Sequence, residues 1–119
     1  MSKVEQQNAF LKDVAKLILE AEKFELVITG GELYRTQYQQ DFYFKTGSSM
    51  VNHSIHQDRM AIDFNFFKKN AFGKLELTYK VEDTKPLGDF WEQLCPQNKW
   101  GGRWKNPIDT PHFQRNELQ

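Results

Sequence analysis

The sequence predicts an α+β fold in a single domain spanning residues 1–119: a small antiparallel sheet with helices packed on one side. Three observations carry that expectation. The first residues show one long amphipathic helical pattern, the middle of the chain holds an aromatic-rich strand pattern joined by a turn to a partner strand, and the length suits one core. A chain of 119 residues can bury roughly two thirds of the surface it exposes when unfolded. With 14% aromatic residues it is not a disordered tail.

Taken in order, Val4, Leu11, Val14, Ala15, Ile18 and Ala21 recur at steps of three, four or seven among charged residues. That spacing predicts a helix over residues 2–23. Residues 24–29 read as a short strand closed by Gly30-Gly31, where positive φ is cheap. A second helix is expected over 37–45, stopped by Gly47, and then a polar, aperiodic loop over 48–57. Residues 60–67 alternate in part and are rich in aromatics, which suits a strand. A turn at 70–73 and a partner strand at 74–79 follow. Thr84-Lys85-Pro86-Leu87 reads as a helix start, with a hydroxyl cap and a proline in the first turn, running to about residue 94 before Pro96. Residues 100–104 and 111–114 are expected as short strand or loop segments.

Composition limits the chemistry. Lys plus Arg (16) equals Asp plus Glu (16), so there is no basic excess to meet a phosphate backbone, and no nucleic acid partner is expected. Cys95 is the one cysteine, which excludes an internal disulfide and a cysteine-rich zinc site. Any metal must be taken by His and carboxylate. The first residues lack the uninterrupted apolar stretch of a signal peptide, and nothing approaches the roughly 20 apolar residues of a membrane span. The expected product is a monomer made in the cytoplasm.

Three histidines are present: His53, His56 and His112. His56 precedes Asp63 by seven positions, and Asp63 sits in Ala61-Ile62-Asp63-Phe64 between neighbours that must face a core. A carboxylate so placed needs a partner, because burying an unpaired one is costly. A metal shared with His56 would supply it. With His112, these residues make a three-ligand set of the kind a catalytic zinc uses, leaving a place for water. Asp109, three residues before His112, is placed to take a proton from that water. Asp109-Thr110-Pro111 is equally what a turn looks like.

In this order the residues resemble a known family. Ser54-x-His56-x6-Asp63, followed by Asp109-x-x-His112-Phe113, is similar to the M15 metallopeptidases. That family includes D-alanyl-D-alanine peptidases of the VanY and VanX type and the phage L-alanyl-D-glutamate endopeptidases. Glu32-Leu33-Tyr34-Arg35-Thr36 with Gln39-Gln40, and Pro86-Leu87-Gly88-x-x-Trp91 with Trp100-Gly101-Gly102, extend the likeness over about residues 26–114. The resemblance implies Zn2+ on His56, Asp63 and His112, with Asp109 as general base. It implies Arg35 as the group that polarises the scissile carbonyl, the other reading being a surface arginine at a helix start. Ser54 and Gln40 stand as residues touching substrate or ligands, and a loop cap is the other reading for Ser54. Arg59 replaces a common family glycine, and Gln114 a common acid. His53 could replace His56 in a slipped alignment, but both spacings select His56. The implied activity is hydrolysis in the peptidoglycan stem peptide, between L-Ala and D-Glu, by an endolysin of phage or prophage origin that another factor releases to the wall. A D-alanyl-D-alanine carboxypeptidase and a non-catalytic wall-binding or structural phage protein are the alternatives.

Overall fold

The computed structural model of the chain describes residues 1–47 and 54–118; His53 and most of the loop expected from residue 48 lie outside them. Helix α1 (Lys3–Ala21) is capped by Ser2, whose side chain accepts from the Glu5 N–H. It buries Phe10, Val14, Leu17 and Ala21. Of the expected stripe only Val14 and Ala21 face the core, while Val4, Leu11, Ala15 and Ile18 are exposed. The buried face is set by where α3 and the sheet pack, one residue round from the one the spacing picked out. A 3₁₀ turn (Glu22–Phe24) and Glu25 in the left-handed region (φ 57) follow. Strand β1 (Val27–Gly30) therefore starts three residues later than expected. Helix α2 (Gln37–Thr46) opens with a reciprocal capping box between Thr36 and Gln39 and ends at Gly47, φ 80.

The tail of the expected loop is a 3₁₀ turn (Ile55–Asp58). Then come β2 (Ala61–Lys69), β3 (Leu75–Thr78), α3 (Val81–Leu94), β4 (Asn98–Trp100), a 3₁₀ turn (Gly101–Arg103) and β5 (His112–Arg115). Helix α3 begins before the expected Thr84. Its entry is held instead by the Thr78 hydroxyl, which accepts from the Lys80 N–H and donates to Asp83. Pro86 thus lies inside the helix, where it leaves the carbonyl of the exposed residue Glu82 without a helical donor.

The five strands form one antiparallel sheet, ordered β1-β2-β5-β4, with β3 also on β2. Strand β2 is the spine: its start pairs with β5, and its far half pairs with β1 on one edge and β3 on the other. Side chains alternate across it. Ile62, Phe64 and Phe66 join Phe113 in the core under α1 and α3, with Leu87, Trp91 and Trp100. The indole N–H groups of Trp91 and Trp100 donate to the carbonyls of Gln114 and Thr110, tying the core to β5 and its approach. Helix α2 sends nothing into that core. Its one buried residue is Gln40. Among the described residues no helix is long and apolar enough to cross a membrane.

Candidate active site

Asp63 and His112 face each other across β2 and β5. The flanking bonds, Phe64 N–H to Pro111 O and Arg115 N–H to Met60 O, make them a non-hydrogen-bonded pair, the type that brings side chains closest. They project from the face of the sheet opposite the core. His112 Nδ1 lies 3.0 Å from Asp63 Oδ1, and His56 Nε2 lies 3.5 Å from the same oxygen. His56 is delivered by the 3₁₀ turn, capped by Ser54, whose hydroxyl accepts from the His56 N–H at 3.2 Å. Ser54 here is a loop cap.

On its other side Asp63 meets a β-bulge. The Gly31 N–H donates to Asp63 O, while the Asp63 N–H donates to Glu32 O, so two residues face one. A Cβ on Gly31 would come 2.5 Å from Asp63 O. Close approach, not the expected positive φ, is why glycine stands there: neither Gly30 nor Gly31 has positive φ. Gly101 repeats the device, since a Cβ there would overlap the carbonyl of Asp109. Its own carbonyl accepts the Asp109 N–H at 2.9 Å.

The outer ring nitrogens are tied down. His56 Nδ1 meets the Leu33 carbonyl at 3.1 Å, and His112 Nε2 meets Gln114 Oε1 at 2.7 Å. The Gln114 amide nitrogen donates to Asn116, which leaves Oε1 as the acceptor. Both rings then donate outward and turn an unprotonated nitrogen inward. One atom each from His56, Asp63 and His112 lies within 4.8 Å of the others. Three electron-pair donors aimed at one point repel unless a cation sits among them, and two imidazoles with a carboxylate suit zinc. Gln114, lacking the charge of the acid it replaces, still orients the ring.

A proton serves in the metal-free state. Burial pushes the Asp63 carboxyl up, but hydrogen bonds to His112 and His56 outweigh it and hold it well below the usual range. Burial pushes His112 down, and the bond to Asp63 more than reverses this, so its pKa is raised. Asp109 lies on the turn before β5, with Oδ2 4.0 Å from His112 Nδ1. The turn and the acid are therefore one feature: its carbonyl accepts the His112 N–H while its carboxylate faces the cluster. Burial, helped by the charge of Asp63, raises its pKa; His112, His56 and Arg35 oppose.

Arg35 is not a free surface arginine. Its Nε donates to Glu32 Oε1, with Nη2 in ion-pair contact with the same oxygen, and Gln40 Oε1 accepts from Nη1 at 2.8 Å. Its guanidinium lies 4.7 Å over the Tyr43 ring. Arg59 occupies the left-handed region at φ 57, a conformation glycine would adopt without strain, and stacks on Tyr34.

The model of a peptidase family described as D-alanyl-D-alanine carboxypeptidase, one of the M15 peptidases, matches residues 46–115, more than half of the chain. The chain belongs to the M15 peptidase family. No curated protein matches it. Among solved structures, this M15 peptidase is similar to the L-Ala D-Glu endopeptidase ChiX of Serratia marcescens. The TM-score is 0.67 at 20% identity, over 96% of this chain and 86% of the other. At that identity the likeness speaks for the fold.

Two neighbours of the site carried no role in the sequence reading. Trp104 lays its ring 5.0 Å from that of His112; nothing in its spacing separates it from the core residues Trp91 and Trp100. Glu32 entered the sequence reading only as part of the Glu32-Leu33-Tyr34-Arg35-Thr36 segment that resembles the family.

Proposed function

We propose that this M15 peptidase is a zinc-dependent peptidoglycan hydrolase that cuts the stem peptide between L-Ala and D-Glu. The observation that carries the reading is the convergence of His56, Asp63 and His112, with Asp109 and Arg35 bordering them. His56 Nε2, His112 Nδ1 and an Asp63 oxygen would hold Zn2+. When bound, zinc supplies Lewis acidity, which makes water acidic near neutral pH and draws electrons from a carbonyl. Asp109 takes the proton of the attacking water on its carboxylate and later gives it to the leaving amine. The raised pKa of Asp109 suits that double duty. Arg35 donates N–H to the carbonyl oxygen as negative charge develops there.

The fold likeness to the L-Ala D-Glu endopeptidase ChiX supports the L-Ala–D-Glu bond, and the sequence resemblance to phage enzymes supports a phage or prophage origin. The description of the matching family supports the second reading, a D-alanyl-D-alanine carboxypeptidase. Incubating the protein with peptidoglycan fragments, with and without chelator, and weighing the products by mass spectrometry decides between them. Release of fragments split at L-Ala–D-Glu, abolished by chelator and restored by zinc, is expected. Loss of a terminal D-Ala alone would move the assignment to the carboxypeptidase. Chelator-resistant cleavage would remove zinc from the mechanism.

A further inference from the structure

We infer that Glu32 is a positioning residue that sets Arg35 for its work and acts through the guanidinium rather than through the metal. The inference rests on the zinc peptidase reading. Glu32 is the second residue of the bulge opposite Asp63, so its backbone is locked to the strand that carries a metal donor. Its carboxylate is engaged at both oxygens: Oε1 takes Arg35, and Oε2 takes the Tyr43 hydroxyl at 3.3 Å. Gln40, wholly buried, takes the Nη1 donor.

A guanidinium has five N–H donors in one plane. Among the described residues, Nε donates to Glu32 and Nη1 to Gln40, and Nη2 stands in ion-pair contact with Glu32. The remaining N–H groups on Nη1 and Nη2 are then the donors for an oxygen carrying growing negative charge. Take Glu32 away and, among the described residues, the Arg35 guanidinium keeps Gln40 and the Tyr43 face, which fix neither its rotation nor its reach. Glu32 Oε1 also lies 3.9 Å from His56 Nδ1. That nitrogen is already satisfied by the Leu33 carbonyl at 3.1 Å, so the direct route to the metal is the weaker one.

The test compares wild type, Glu32→Gln, Glu32→Asp, Arg35→Ala and the Glu32→Gln/Arg35→Ala double variant, all zinc-loaded, on a stem tetrapeptide. Glu32→Gln is expected to lower kcat about 10- to 100-fold with KM within about threefold. Affinity for a phosphinate analogue, tetrahedral and anionic, falls in step with kcat, while affinity for an uncleavable planar peptide does not. Glu32→Asp recovers part of the loss. In the Arg35→Ala background, Glu32→Gln changes kcat less than about twofold, because the residue it acts through is gone. Metal-free protein gives a readout independent of turnover: the Arg35 Nε–H signal in the nitrogen–proton spectrum is protected in wild type and lost in Glu32→Gln. Losses that multiply in the double variant, reduced zinc stoichiometry in Glu32→Gln, or an unprotected wild-type Nε–H would each overturn the proposal. If wild type cleaves no stem peptide, the functional reading fails, while the Nε–H signal still decides whether Glu32 holds Arg35.

Discussion

The two walls of the site are built by different means. On the proposed metal side, Asp63 and His112 owe their approach to strand pairing, and His56 and Asp109 hang from turns closed by backbone bonds. On the arginine side, Arg35 is placed by three side chains, two of them on α2, a helix with a single buried residue. Backbone register is cooperative with the whole sheet, so it fails only when the domain does. Side-chain clamps fail one at a time. The metal side should therefore tolerate damage to the arginine side, and the reverse damage should be total.

The largest effect expected is from His112→Ala. Removing one of three donors should abolish stoichiometric zinc binding, read by metal analysis after dialysis, and with it all turnover. Unchanged zinc content would show that the donor set is wrong. Next, Asp109→Asn should keep zinc and lower kcat about 10²- to 10⁴-fold, the usual range for a lost acid–base group; full activity would remove Asp109 from the mechanism.

Gln40→Leu sharpens the contrast further. It frees one arginine donor in a buried place, so kcat should drop about tenfold while zinc affinity stays put. Zinc loss in that variant would mean the walls are coupled through the backbone. The smallest effect concerns neither wall. The Thr78 hydroxyl, and then Lys68, hold Asp83 below its ordinary pKa. A carboxyl lowered by folding stabilises the fold above its unfolded pKa and loses that contribution as pH falls through the folded one. Thr78→Val should thus cost about 0.5 kcal/mol at neutral pH and less below pH 4, read from denaturant midpoints at both pH values. An equal loss at both would mean packing alone.

Much of this was legible in advance, for physical reasons. The helix α1 and the aromatic alternation of β2 are periodic, and periodicity survives without tertiary knowledge. Which face of α1 is buried does not, since Val4, Leu11 and Ile18 of the expected stripe are exposed and Phe10 and Leu17 are buried in their place. His56, Asp63 and His112 were singled out by their order along the chain and the family resemblance, and the structure brings the three together. The β2–β5 register that does so is non-local and leaves no mark on the spacing. The start of α3 was misplaced because Thr84 and Pro86 imitate a cap that Thr78 and Asp83 supply from further back. Gly31 was read as a turn residue because close backbone approach leaves no sequence signal. The buried pair of Asp13 and Arg115, 3.5 Å apart with Asn98 donating to the same oxygen, links residues distant in the chain, which no local pattern reports.

The cross-strand pairing of Asp63 with His112 has a consequence for modularity. Their separation is inherited from the constant spacing of an antiparallel sheet, so it does not depend on how much chain runs between them. The β2–β3 hairpin, whose tip holds the nine-tenths-exposed Phe72 (87%) and Gly73 at φ 75, lies in that interval and away from the donors. It is a natural port for an inserted module, such as a wall-anchoring domain, that would leave the donor spacing as it is.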